Sequence, residues 1–456
     1  MKINLTAIAL AIGVAYASSA SAAGPGITST GNNNSAFIEQ DNASNQSATI
    51  TQAGDNNIAG NVGASASDSH RGGILQTNSS NVTATIEQNS GNNTANITQQ
   101  NTLDSVASVR QTSTAGAMGN AANIAQQYSG QTASVTQSGA SDSATITQQV
   151  GSGNNATVSQ DNGTYQGSAL VSQYGAGNTA SVSQTGVWSS DAAVNQTGTA
   201  NNAHIGQDDM ADYSHAGVTQ TGADNTASIL QTEISFSNAN VNQPGNANNM
   251  VVNRDKAFNS YADVTQTGDN GQVTIGQTST DTARATVYQG GINNTTTIAQ
   301  SGGYGAYAGI MQNDATYNEQ ASVTQNGDHQ YAILTQTGSS SNGFASIVQA
   351  GSGNRADVLQ IDTWFSHASI HQNGSNNTAS AVQSGSSNES TISQTTDWNT
   401  ASAQQNGSGN MAAITQTGAG TSTATSNAAW TQQSGNGFVA SIDQNGNSNR
   451  AGIYQH

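Results

Sequence analysis

Along most of this chain the branched apolar residues recur in one short context, Ala-x-(Ile/Val)-x-Gln, running from Ala36-Ile38-Gln40 to Ala451-Ile453-Gln455. The x positions vary and are mostly polar. In Asn178-x-Ala180-x-Val182-x-Gln184 the recurring residues alternate with free ones, which is the pattern of a pleated strand with one specified face. Gly, Asn and Asp fall between the words, as in Gln266-Thr267-Gly268-Asp269-Asn270, and these residues tolerate turn geometry. The word occurs about 36 times, two degraded copies included, and so short a period marks a stacked array rather than one closed core.

Spacing refines the pattern. From Gln173 through Gln184, Gln196, Gln207, Gln220, Gln231 and Gln243 the gaps alternate between 11 and 12 or 13, so two words form a unit of about 23 residues with two different turns. An 11-residue period also fits a right-handed helical supercoil. Gly and Asn between the words, Ile and Val at the main apolar position, and the jitter in spacing all oppose a helix. The chain is therefore expected to be all-β: a two-sided β-solenoid of about 18 stacked strand-turn-strand rungs, amyloid-like cross-β when assembled, roughly 85 Å long at ~4.8 Å per rung. Strands running antiparallel across the core would set each Asn against a Gln and each Ala against an Ile or Val.

Two β-branched side chains per rung cannot offset the entropy of ordering some 23 residues. Backbone ladders and stacked amides must supply the rest, and both exist only between neighbours. The expected amide-stacking ladder includes Gln88, Asn93, Gln99, Gln173, Asn178, Gln184, Gln220, Asn225, Gln231, Gln372, Asn377, Gln383, Gln444, Asn449 and Gln455. The sequence ends on a full-strength word, Ile453-Tyr454-Gln455-His456, so an uncapped edge and polymerisation are expected.

Composition narrows the setting. Only 7% of the 456 residues are charged, the net charge is -18, and Cys is absent, so cohesion cannot come from disulfides. Met1-Lys2, the apolar run Leu5 to Ala15 and Ala20-Ser21-Ala22 read as a secretory signal peptide over residues 1-22. A short segment, 23-33, then leads into the array at 34-456. After cleavage only Lys256 and six Arg remain basic, which argues against a nucleic-acid partner.

These residues resemble the curlin repeat of curli amyloid fimbrial subunits. The pattern Ser-x5-Gln-x4-Asn-x5-Gln is met by Ser214, Gln220, Asn225 and Gln231, and again by Ser366, Gln372, Asn377 and Gln383. Partial copies include Gln88/Asn93/Gln99, Gln349/Asn354/Gln360, Gln405/Asn410/Gln416 and Gln444/Asn449/Gln455. The resemblance implies a secreted structural subunit of extracellular amyloid fibres at a bacterial cell surface, supporting biofilm matrix and adhesion. It also implies self-polymerisation, export through a curli-type outer-membrane channel, and a nucleator subunit. Family subunits usually have a handful of repeats, so this is an unusually long variant.

Irregular places stand out. Asn57-x-Ala59-x-Asn61-x-Gly63 lacks both the branched residue and the Gln, and a weak rung is expected there. Arg254 takes a Gln position; with Pro244, Asp255 and Lys256 it forms a candidate gatekeeper cluster that slows strand addition, the alternative being drift in a redundant array. The gaps Gln111 to Gln126 and Gln416 to Gln432 read as enlarged turns, and Trp430 in the Ile position is expected to distort its rung. His367 and His371 lie some 13 Å apart along an extended strand and cannot chelate one ion. The acidic turn Asp208-Asp209-x-x-Asp212 lacks a Ca2+ repeat signature. No catalytic site, metal or cofactor is expected. The competing class is a monomeric secreted β-solenoid adhesin or surface-binding protein. An ice-binding plane is excluded because the position before each Gln holds Thr51 and Thr98 but also Arg110, Leu230, Tyr288 and His371.

Overall fold

In the computed structural model, residues 14–15, 24–42, 44–60, 73–113, 118–314, 316–418, 420–422 and 425–456 are described. Of the expected signal peptide only Val14–Ala15 falls among them, its backbone paired in parallel with Glu39–Gln40. Every regular element among the described residues is a β-strand. The chain divides into two units, Met1–Asp224 with Leu230–Glu233, and Asn225–Ile229 with Ile234–His456.

Each unit is a stack of rungs in two parallel sheets, with alternate strands belonging to alternate sheets. About 18 rungs are present in all. In the first unit, Ser143–Gln149 pairs with Ser168–Ala176 so that Ala144 meets Ala169, Ile146 meets Val171 and Gln148 meets Gln173. In the second, Phe344–Ser352 pairs with His367–Ser375, and Ala345, Ile347 and Gln349 meet Ala368, Ile370 and Gln372. Like stacks on like, because a one-residue slip would turn every Ala and Ile outward.

The two strands of a rung run antiparallel across the core. Gln148, at the end of its strand, donates to the Thr132 carbonyl at the start of the strand before it, and Gln160 donates likewise to Ser143. Small Ala positions are thereby set opposite branched ones, and both are buried: Ala144, Ile146, Ala169 and Val171 are all at most 2% exposed. The result is a thin core filled mainly by Ala, Ile, Val and amide side chains.

The turns explain the glycines. Gly175 and Gly198 have φ of 107° and 121°. A β-carbon on Gly175 would stand 1.9 Å from the Gly198 carbonyl oxygen, and one on Gly198 would stand 2.0 Å from that of Gly222. Close approach of the next rung, together with left-handed backbone, reserves the position for glycine.

Three sequence expectations change. The degraded word at Asn57 is an interrupted strand: Ile58–Ala59 pairs with Ser35–Ala36, while Gly73–Thr77 brings Ile74 and Gln76 onto Ile38 and Gln40. Residues Asn61 and Gly63 lie outside the described ones, and the Ile and Gln positions of this rung are filled by Ile74 and Gln76, so the expectation of a weak rung loses its basis. Trp430 is not in the Ile position. It points outward, 49% exposed, while Ala429, Thr431 and Gln433 take the inner positions against Ala451, Ile453 and Gln455. Gln433 therefore replaces Gln432 in the ladder, since accepting Thr in the core costs less than burying an indole opposite Ala. Finally, the segment 23-33 contains Gly26–Thr30, which is in register with Ser47–Ala53 and puts Ile27 on Ile50 and Ser29 on Gln52.

Candidate functional site: the stacking ladders

The repeated polar side chains form two kinds of column along the stack. The first is made by the word's Gln. In the first unit Gln148 Nε2 donates to Gln173 Oε1 at 2.8 Å, Gln173 to Gln196 at 2.9 Å, and Gln196 to Gln220 at 2.9 Å. The other sheet repeats this through Gln52, Gln88 and Gln111, and through Gln160, Gln184, Gln207 and Gln231. In the second unit the series Gln349, Gln372, Gln394, Gln416 and Gln444 has spacings of 2.7 to 2.9 Å. Gln360, Gln383, Gln405, Gln433 and Gln455 do the same on the facing sheet.

Each of these bonds points one way, from a residue to its counterpart later in the chain. The second amide hydrogen crosses the core: Gln173 donates to Asn155 O, Gln372 to Arg355 O and Gln383 to His367 O. One carboxamide thus bonds along the stack and across it. Gln99 and Gln126 follow the same rule. Buried amides with all their groups engaged rigidify a core, whereas partial engagement is costly.

The second column is made by the residue two before each Ala, most often Asn. It is a turn clamp, and in places its amides also stack on one another: Asn178 Nδ2 reaches Asn154 Oδ1 at 3.1 Å and Asn201 Nδ2 reaches Asn178 Oδ1 at 3.2 Å. Asn178 Oδ1 accepts the backbone N–H of Asn201 at 3.1 Å, while its Nδ2 donates to the Gly198 carbonyl of the next turn. Asn93 accepts from the Asn120 N–H, Asn225 from Asn248, and Asn377 from Asn399. Asn225 Nδ2 also holds Gly245 O. Asn449 donates its own N–H to Asn427 Oδ1. Ser366 does similar work, its Oγ accepting from Asn388 N and donating to Gly385 O.

Arg254 occupies a Gln position opposite Gln277 and is fully buried. Its Nη2 donates to the Ser260 carbonyl, but Nε and Nη1 have no partner, and neither has Gln277 Oε1. Burial pulls its pKa down to about 9, against the field of Asp263, which raises it. Pro244 is exposed in the turn after Gln243, and Asp255, which ends the strand after Arg254, makes a loose 4.0 Å contact with Lys256 at the start of the next turn. Only Arg254 of these four enters the core.

Two carboxylates were not legible as special from the repeat word: Asp142 and Glu319 both stand in the clamp position. Reading the position two before Ala144 and Ala321 would have found them.

The curlin associated repeat matches the chain at residues 131–161, 366–395 and 391–418. The chain carries curlin repeats. The curlin matches cover strands of these columns, including Gln160, Gln372 and Gln394 and also Gln137, which donates to Gln160 Oε1 at 2.8 Å. Curlin repeats belong to a structural family of extracellular fibres rather than to enzymes. No curated protein matches the chain.

Proposed function

We propose that this curlin-repeat protein is a structural subunit of extracellular curli-type fibres that support biofilm matrix and surface adhesion. The observation that carries the reading is the uniform direction of the Gln ladders. Each rung that carries the word's Gln on both sheets offers amide donors on one edge and acceptors on the other, so such a rung added from another molecule meets the same complement as an internal one. Growth by templated addition follows, with export before folding through an outer-membrane channel of the curli type and initiation by a nucleator subunit. Arg254, with its flanking Pro244, Asp255 and Lys256, serves as a gatekeeper in this scheme, because a buried cation interrupts amide stacking. The amide-stacking residues would act in growth as they do within the molecule.

The test is dilution of denatured chain lacking residues 1–22, followed by thioflavin fluorescence with and without preformed seeds. Seeds should abolish the lag and yield detergent-resistant fibres. A stable monomer of fixed mass that seeds do not recruit would refute the proposal and favour an adhesin acting as a single solenoid.

A further inference from the structure

The clamp position normally holds a group with two different faces, an acceptor for the next rung's N–H and a donor for a nearby carbonyl. Asp142 and Glu319 supply the acceptor without the donor. Asp142 Oδ1 accepts the Gly167 N–H at 3.0 Å, as an Asn would. Its Oδ2 has no partner, and it converges with the Thr164 carbonyl oxygen on the same point: each is 2.2 Å from where a β-carbon on Gly139 would stand. The Thr164 carbonyl stands where the clamp's Nδ2 would donate, as Asn120 Nδ2 donates to Gly139 O in the preceding rung. Glu319 receives Gln336 Nε2 on Oε2 at 2.8 Å, while Oε1 has no partner. The side chain is one methylene longer than Asn, and the next clamp position is Gly343, where a β-carbon would fall 2.3 Å from Glu319 Oε2. Both side chains are at most 1% exposed, in different units of the chain.

We propose that Asp142 and Glu319 make the solenoid acid-tightened, each acting as an Asn analogue when it carries a proton and loosening its rung when ionised. The added proton gives the orphan oxygen a donor, directed at the Thr164 carbonyl in the case of Asp142. The inference rests on the fold and not on the fibre reading. Burial raises both groups to about 7, opposed by the N–H bonds from Gly167 and Gly343. The Asp161 carboxylate adds to the shift at Asp142. The groups against Glu319 are the Gln336 amide, the backbone of Gly343 and the Asn294 side chain, whose Oδ1 accepts the Glu319 N–H, all uncharged. The sign is fixed: a carboxyl whose pKa is raised on folding stabilises the fold least when ionised. Local stability is highest below the ordinary carboxyl range, falls as pH rises through it, and levels off above about 7.

Hydrogen exchange of the whole chain, corrected for intrinsic rates, tests this at pH 5 and pH 8. In the wild type, opening of the strands Ser143–Gln149 and Gln320–Asn326 should increase about tenfold or more at the higher pH, the lower end of what a shift of this size allows. Asp142→Asn should remove the pH dependence from the first segment only, and Glu319→Gln from the second only. Both variants place an amide where the repeat ordinarily has one. Infrared spectra provide a second readout: a buried carboxylic-acid band at pH 5 that is lost in the double variant. Unchanged pH dependence in the amide variants, or absence of that band, would overturn the proposal.

Discussion

Replacing Gln394 by Ala removes one carboxamide from the middle of a ladder and measures what the ladder contributes. Gln394 is fully buried, accepts from Gln372 Nε2 at 2.9 Å, and donates to Gln416 Oε1 at 2.8 Å and Thr378 O at 3.1 Å. The truncation strands the Gln416 oxygen and one hydrogen of the Gln372 amide inside the core. Each unsatisfied buried group costs about 1–3 kcal/mol, and the lost methylenes add to this, so a local loss of about 3–5 kcal/mol is expected. Ser393→Ala, at the neighbouring outward position, should cost less than about 0.5 kcal/mol. A repeat array need not unfold in one step, so the assay is hydrogen exchange read segment by segment. Opening of Glu389–Gln394 and Met411–Gln416 should rise at least about 100-fold for Gln394→Ala. Equal effects of the two substitutions would refute the claim that the amide column holds the rungs together.

Three further substitutions probe other positions. Arg254→Gln restores an amide opposite Gln277 and removes two orphan nitrogens, so the second unit should gain about 2–4 kcal/mol in denaturant unfolding; a loss would contradict the reading of Arg254 as a costly interruption. Gly407→Ala puts a β-carbon 1.9 Å from the Gly435 carbonyl at a φ of 120°, and should raise exchange across Thr400–Ser408 by well over about tenfold. Thr431→Val removes the partnerless hydroxyl from an inner position at little change in volume; thermal unfolding of the second unit should shift upward, by the equivalent of about 1 kcal/mol.

The strand class, the two-sided stack and the inward face were legible because the word alternates with period two over most of the chain. Ala180, Val182 and Gln184 can share a face only on a strand. The direction of the Gln ladders was not legible, since sequence does not say which amide hydrogen points along the stack. The clamp role of Asn178 needed the turn: its partner, the Gly198 carbonyl, lies 20 residues away, and its turn stacks this closely because Gly175 lacks the β-carbon that would stand 1.9 Å from that oxygen. Trp430 misled because the word was read by position. Packing shifts the strand by one residue and chooses Thr431 for the core. The interruption after Ala59 was hidden for a related reason, as spacing alone cannot distinguish a lost word from one split by an insertion.

The central claim is that residues one full unit apart are neighbours while residues half a unit apart lie on opposite faces. The natural absence of Cys allows a direct test by spin labels on pairs of introduced cysteines. Ser369 and Thr391 are register partners on one sheet, about 4.8 Å apart, whereas Ser380, midway between them in sequence, belongs to the other sheet. Labels at 369 and 391 should show strong spin exchange, and labels at 369 and 380 none, since two sheets about 10 Å apart with outward labels separate them by roughly 20 Å or more. Strong exchange in the 369/380 pair, or its absence in the 369/391 pair, would contradict the stacked solenoid.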